Sequence, residues 1–347
     1  MHQSAATAGA VAGSDTRPLA VVGAGSWGTA LGVLLAQQGH DVWLWGRDEK
    51  AIAEMVRARR NQRYLPDVEL PPALRPTTDL HEAIADAHEL LVVVPSHAFA
   101  QSVAALASVR PDLNALAWAS KGFEPGTGRF LDDVVVDHFG AHCARALLSG
   151  PTFAAEVARG LPAAVTLAGT DDVFTQQLAQ RFRGSNFRVY TSTDLIGVQV
   201  AGGVKNVLAI AAGIADGLGF GANTRAALIT RGLAELTRLG LRLGGRAETF
   251  AGLAALGDLV LTCSDDQSRN RRFGLALAAG ASVDDAAVQV GQVVEGLRNT
   301  REVMQLAVRN DVEMPIAEQV FRVLFEQCPP RDAVHVLLAR ELKTEGE

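Results

Sequence analysis

Aromatic residues make up only 5% of this 347-residue chain, so its core must be built mainly from Ala, Val and Leu, with backbones packed close together. Cysteine is scarcer still. Cys143, Cys263 and Cys328 lie far apart, with no CxxC pair and no histidine at zinc-ligand spacing. This excludes a disulfide scaffold, predicts no bound metal and suits reduced thiols in a cytoplasm. Cys263 falls in a polar stretch that reads as a loop, where a structural role is expected over a reactive one. No run of about 18 consecutive apolar residues occurs, which predicts no membrane span. The longest candidate, Val207–Ala215, is bounded by Lys205 and Asp216 and reads as core. Positive charge is not in excess: the net charge of −6 argues against a general nucleic-acid binder, though not against a local phosphate site. Residues 1–16 lack the basic start and apolar centre of a signal peptide and read as a disordered extension. Residues 341–347 read as a flexible tail, and neither repeats nor heptads are found.

What is present fits a globular chain, 48% apolar and 20% charged, and too long for one compact domain. Glycine is in surplus, at 34 residues against the roughly 24 that average usage would give. Near-continuous apolar runs at Leu19–Val22, Val42–Trp45, Leu90–Val94, Leu116–Trp118 and Ala146–Leu148 read as strands buried on both faces. Helical patterns at about 27–38, 48–60, 97–107 and 129–139 lie between them, so a parallel sheet with right-handed crossovers is predicted. Ala163–Ala168 and Phe187–Tyr190 read as two further strands. After Tyr190 helical periodicity takes over, with Ala226, Ile229, Leu233 and Leu236 on one apolar face. The predicted organisation is therefore an α/β Rossmann-type domain over 17–190 and an all-α domain over 191–340. Thr191–Asp194 resembles a capping box at the boundary.

Gly23-Ala-Gly25-Ser-Trp-Gly28 follows the first strand and opens a helix, the context a dinucleotide-binding turn requires. Gly23 permits the tight turn, Gly25 admits a pyrophosphate to the backbone and Gly28 lets helix and strand pack closely. The free N–H groups of the first helical turn favour the anion. The second strand ends Trp45-Gly46-Arg47, without the acid that usually holds a ribose 2′-OH. Arg47 offers paired hydrogen bonds to a 2′-phosphate, so NADPH is predicted to be accepted and preferred, while Asp48 reads as a helix cap that leaves dual use open.

From Leu195 to Ala215 the only strongly polar side chains are Gln199, Lys205 and Asn206. A buried ammonium needs a partner, a lowered pKa or a polar cleft. In a cleft Lys205 would protonate a carbonyl oxygen as hydride reaches the carbon; otherwise its stem lies along the core and its head reaches water. Ser268-Arg-Asn-Arg-Arg272 reads either as a phosphate grip at a helix start or as a solvated basic patch. Asp258, a lone acid among apolar residues, is a partner for Lys205 or a cap. Lys121 follows a strand, where ligands of open α/β sheets sit, or is an exposed loop lysine.

Taken together these motifs resemble the NAD(P)-dependent glycerol-3-phosphate dehydrogenase family in its bacterial biosynthetic form, over residues 18 to 340. The carrying segments are GAGSWGTA (23–30), NQRYLPDVELP (61–71), VVVPSHA (92–98), SKGFE (120–124), LSGPTFAAEVARGLP (148–162), the run from Val204 to Glu235, LGDLVLTCSDDQSRNRRFG (256–274) and VVEGLRNT (293–300). The resemblance implies reversible reduction of dihydroxyacetone phosphate to sn-glycerol 3-phosphate by NADH or NADPH, feeding phospholipid synthesis. It implies a second domain like that of 6-phosphogluconate dehydrogenase. Lys205 matches the proton donor and acceptor, and Lys121 the lysine touching substrate and cofactor. Gly150, Thr152, Asp258, Ser268, Arg269 and Asn270 match substrate contacts, Arg269 also a cofactor contact. Ser26, Trp27, Arg47, Ala154, Val293 and Glu295 match cofactor contacts. A homodimer in the cytoplasm is expected by the same analogy. Residues 1–16 have no counterpart, and Asp266 stands where many members have Asn.

Two other readings remain at this stage. A β-hydroxyacid or 6-phosphogluconate dehydrogenase relative would carry an asparagine one turn after the lysine, where this chain has Ala209. A sensor that kept the fold and lost chemistry would have lost Lys205 or the 268–270 segment, and both are present.

Overall fold

A computed structural model describes residues 18–184 and 186–339. The expected extension at 1–16 and tail at 341–347 lie outside the described residues. The first half alternates strand and helix: β1 (Leu19–Val22), α1 (Ser26–Gln37), β2 (Val42–Trp45), α2 (Glu49–Ala58), β3 (Arg60–Asn61), β4 (Leu65–Glu69), β5 (Leu74–Thr77), α3 (Leu80–Ile84), β6 (Glu89–Val92), α4 (Ser96–Val109), β7 (Ala115–Trp118), α5 (Leu131–Phe139), β8 (Ala144–Ser149), α6 (Ala154–Ala158), β9 (Ala163–Gly169), α7 (Asp172–Arg181) and β10 (Phe187–Ser192). The order across the main sheet is β10-β9-β8-β7-β6-β1-β2-β5. β1 is an interior strand, third from one edge, with Val22 level with Trp45 on one side and Val92 on the other. That register brings the carboxyl ends of β1, β2 and β6 together at one edge, where Gly23, Gly46 and Val93 follow.

The sheet is not wholly parallel as predicted. β9 runs antiparallel to β8, pairing Leu148 with Leu167, and β10 runs parallel to β9. The connection from β8 holds only the five-residue α6, too short for the crossover that a parallel return demands. The sequence pattern also missed β5 and the β3–β4 hairpin. The helix expected to reach 60 stops at Ala58, because Arg59 turns into the left-handed region (φ 50°) and starts the hairpin. These strands are too short and too polar to carry a period.

After β10 every described element is helical: α8 (Leu195–Gly217), α9 (Gly221–Arg242), α10 (Ala247–Phe250), a π turn at Leu253–Gly257, α11 (Asp258–Ser264), α12 (Arg269–Ala278), α13 (Val283–Val290), α14 (Glu295–Arg309), α15 (Pro315–Phe325) and α16 (Pro330–Leu338). The predicted capping box is corrected in detail. Thr191 and Ser192 are still paired in β10, and Asp194 itself caps α8, accepting from the Gly197 N–H at 2.8 Å. Cys263, predicted in a loop, lies inside α11 and is fully buried; burial pushes its thiol up to about 12, which leaves it inert at neutral pH.

α8 is the axis of the helical half. Val200, Val204, Val207, Leu208, Ile210 and Ile214 are all buried on it, each contributing about 1.5–3 kcal/mol by leaving water. Six such side chains outweigh the several kcal/mol that one buried ammonium costs, so the helix holds with Lys205 in its middle. α12 meets α8 backbone to backbone. A Cβ on Gly213 would stand 2.1 Å from the Arg271 carbonyl oxygen, and one on Gly274 2.2 Å from that of Ile210. Part of the glycine surplus is thereby explained. Two stretches of the described residues, Leu195–Gly217 and Ala247–Ser264, do have the length and apolar composition of a bilayer-spanning helix, which the run-length criterion did not foresee. The first is almost wholly enclosed by the protein's own core, and the second is interrupted by the π turn and by Asp258.

Candidate active site

Three groups of side chains converge on the carboxyl edge of the sheet. The first is the turn Gly23–Gly28. Gly23 has φ +124°, and a Cβ there would lie 2.3 Å from the Val93 carbonyl oxygen, so only glycine fits. Gly28 packs as closely, against the Gly23 carbonyl. Around Gly25 no protein atom lies within 4 Å of where a Cβ would be. The helix α1 that follows has no side-chain cap, so the N–H groups of Ser26, Trp27 and Gly28 face that open space with the positive end of the helix dipole behind them. A pyrophosphate fits this cradle in size, charge and donor set. The turn is held from below by Asn61, which the sequence reading did not single out. Its buried amide donates to the Ala24 carbonyl (3.1 Å) and to Thr29 Oγ1 (2.8 Å), tying the β3–β4 hairpin to the turn. Gly46 lacks an acid for a packing reason as well, since a Cβ there would press on Ala24 and Ile52. Arg47 is exposed at the end of β2, and Asp48 caps α2 by accepting from the Ala51 N–H, as predicted.

The second group joins both halves of the chain. Asp258, 1% exposed at the start of α11, accepts from two ammonium groups: Lys205 Nζ at 2.5 Å and Lys121 Nζ at 2.6 Å. Lys121 follows β7 and also donates to the Gly150 carbonyl (3.3 Å), which Thr152 Oγ1 approaches at 3.4 Å. Lys205 donates to Thr262 Oγ1 at 2.9 Å. Thr262 was missed from sequence, although its place one turn after Asp258 on α11 sets its hydroxyl 3.3 Å from the same carboxylate. The bland readings of Lys205 and Lys121 as solvent-seeking lysines do not describe this geometry: Lys205 is buried and turned inward, and Lys121 is only 18% exposed in its side chain.

Two cations share one anion here, and the electrostatics follow. Burial lowers the Lys205 pKa most, Asp258 opposes, and Lys121 lowers it further; the result is about 7 against an ordinary 10.5. Asp258 is held below the usual carboxylate range because the two ammonium groups outweigh its burial. Lys205 is thus poised to hold or release a proton near neutrality.

The third group lies at the starts of α12 and α14. Ser268 caps α12, accepting from the Arg271 N–H (3.2 Å). Arg269 follows it and makes no hydrogen bond or ion pair with a described residue. Burial lowers its pKa, while the nearby Glu295 pulls the other way. Asn270 is more committed than its sequence role suggested: its Nδ2 donates to Asn206 Oδ1 and its Oδ1 accepts from the Gly296 N–H, both at 2.9 Å, leaving one amide hydrogen for a ligand. Glu295 accepts from Ser96 Oγ at 3.1 Å, a bond between the sheet half and the helical half that was not foreseen. Ala154 opens α6, and Val293 stands just before the cap of α14. Asp266 pairs with Arg271. Among the described residues no group of three or more His, Cys, Asp and Glu side chains is arranged to hold a metal.

Comparisons with known proteins place both halves of the chain in one family. Residues 18–175 match the family described as NAD-dependent glycerol-3-phosphate dehydrogenase N-terminus, and residues 194–335 match the C-terminus of the same family. The chain is 54% identical over 334 residues to glycerol-3-phosphate dehydrogenase [NAD(P)+] of Pseudoalteromonas translucida, covering 95% of this chain and 99% of that protein. It is 55% identical to the protein of that name from Thioalkalivibrio sulfidiphilus, covering 94% and 98%. The crystal structure of glycerol-3-phosphate dehydrogenase from Coxiella burnetii superposes with a TM-score of 0.91 at 46% identity, covering 94% of this chain and 99% of that one.

Proposed function

The chain belongs to the NAD-dependent glycerol-3-phosphate dehydrogenase family, and on that premise we infer that it reversibly reduces dihydroxyacetone phosphate to sn-glycerol 3-phosphate with NADH or NADPH, Lys205 moving the proton. The observation that carries the reading is the buried Lys121–Asp258–Lys205 group beside a dinucleotide-binding turn. The product supplies glycerophospholipid synthesis.

Gly23, Gly25, Ser26, Trp27 and Gly28 would hold the coenzyme's pyrophosphate, and Arg47 a 2′-phosphate. Lys121, Ala154, Arg269, Val293 and Glu295 would complete the coenzyme site. The bound nicotinamide supplies the hydride. The rest of the work falls to this chain's own residues. Arg269 is the phosphate grip for the substrate, since it is a partly buried cation without a described partner at the start of α12, with Ser268 and the spare Asn270 hydrogen beside it. Gly150 and Thr152 border the substrate next to Lys121. Lys205, protonated, gives its proton to the ketone oxygen, and in the reverse direction neutral Lys205 takes it back. Asp258 and Thr262 aim the Lys205 ammonium, and the charges of Lys121 and Lys205 stabilise the alkoxide as it forms.

The domain division falls near 191, with coenzyme held mainly by 17–190 and substrate by 191–340. The protein works as a cytoplasmic homodimer in this reading. Arg269→Ala is expected to raise the KM for dihydroxyacetone phosphate at least tenfold with a smaller fall in kcat, by loss of a charge-assisted pair. Steady-state kinetics at saturating NADPH check this, and an unchanged KM removes Arg269 from the phosphate site.

A further inference from the structure

Two more basic side chains, His97 and Arg298, lie at the same edge as Arg47, and none of the site assignments above uses them. Ser96 and His97 are the first two residues of α4, immediately beyond β6 at the coenzyme edge. Glu295 and Arg298 lie one turn apart at the start of α14. The Ser96–Glu295 hydrogen bond of 3.1 Å draws these two helix starts together, and neither has a side-chain cap. His97 Nδ1 is buried and has no hydrogen-bond partner. Arg47 and Arg298 are both exposed, and neither makes a hydrogen bond or ion pair with a described residue.

We propose that Arg47, His97 and Arg298 together seat the 2′-phosphate of the coenzyme, so that NADP(H) is told from NAD(H) by side chains from both halves of the chain. The proposal rests on the reading of Arg47 given above and adds the helical half to it. β2 and β6 flank β1 in parallel register, so Arg47 and His97 follow neighbouring strand ends at one edge, and the Ser96–Glu295 bond brings the start of α14 to the same edge; burial, then Arg298, then Arg47, lower the His97 pKa. Two guanidinium groups without a described partner lower the proton affinity of the imidazole near them, and a dianionic phosphate bound there would offset their charge and restore it. Two carboxylates adjoin this group: Asp48, next to Arg47 and engaged in capping α2, and Glu295 at the start of α14. Glu295 accepts from Ser96 and is pushed toward its protonated form by burial, with the Ser96 hydrogen bond, Arg269 and Arg298 opposing.

A sign follows. His97 is neutral at pH 7 in the free protein and is charged more readily once the phosphate is in place. Binding of NADP+ therefore takes up protons at pH 7, while binding of NAD+ does not. A phosphate that merely meets fixed arginines would do the reverse, because its own second ionisation, near about pH 6, would be driven toward release.

The test is calorimetric titration of the full chain with NADP+ and NAD+ in buffers of different ionisation enthalpy. Arg298→Met is expected to weaken NADP+ about tenfold and NAD+ less than twofold, and His97→Asn to abolish the proton uptake. Unchanged NADP+ affinity in Arg298→Met, or equal weakening of both nucleotides, overturns the proposal, as does proton uptake that survives in His97→Asn. Arg47→Met separates the two levels. If it shifts the NADP+ to NAD+ ratio and Arg298→Met does not, the added seat falls alone. If it leaves the ratio unchanged, the Arg47 reading falls and takes this one with it.

Discussion

Lys205→Met enzyme is expected to reduce dihydroxyacetone phosphate roughly 10³-fold more slowly than the unaltered chain, within the 10²–10⁴ range that a positioned general acid contributes. NADPH binding should be nearly intact, because Lys205 sits in α8 and its hydrogen bonds go to Asp258 and Thr262, away from the glycine turn. Methionine keeps the stem's volume and leaves Asp258 its bond to Lys121, so the fold should survive. The pH dependence gives a second check. With the Lys205 pKa lowered to about 7, the protonated donor is lost as pH rises through that value. Reduction should therefore fall above about pH 7 in kcat/KM, while oxidation of sn-glycerol 3-phosphate, which needs neutral Lys205, should rise. Both limbs should vanish in Lys205→Met. Turnover within a few-fold of the unaltered enzyme, with both limbs kept, would remove Lys205 from the chemistry.

The second large effect belongs to Asp258. Asp258→Asn keeps the shape and removes the charge that two ammonium groups share. At pH 7 turnover should drop about 10²-fold, and the reduction limb should move to lower pH. The sign is set by the environment: the carboxylate raises the Lys205 pKa, while burial and Lys121, which remain, lower it. Less Lys205 then carries a proton at neutrality. Stability should fall by less than the about 3–5 kcal/mol that a stranded buried charge costs, because Lys205 can shed its proton and Lys121 can turn to water. Thermal denaturation and a pH–rate profile measure the two effects separately. An unmoved limb with near-normal turnover would leave Asp258 a structural acid only.

Much of this was readable from local pattern. A glycine turn between an apolar strand and a helix is specified by residues a few positions apart, because backbone conformation and phosphate cradling are local. One lysine in an otherwise apolar helix is equally conspicuous, since burying an ammonium needs a compensating reason. The predicted strands and the change to helices after Tyr190 rest on the same short-range periodicity. Hairpin β3–β4 and strand β5 escaped because two to five residues, several polar, carry no period. The reversal of β9 escaped because strand direction depends on what the connection can span.

By itself, then, the chain's order of residues determined a dinucleotide-binding α/β half, a helical half and a lysine in need of a partner. The tertiary structure alone decided which acid answers that lysine. Asp258 is 53 residues from Lys205 and 137 from Lys121, and it meets both only because α11 packs on α8 and the loop after β7 reaches across to them. It likewise decided that Ser96 meets Glu295, 199 residues apart. Charges act through space at a few ångströms, and a linear sequence holds no distances between residues that only packing brings together.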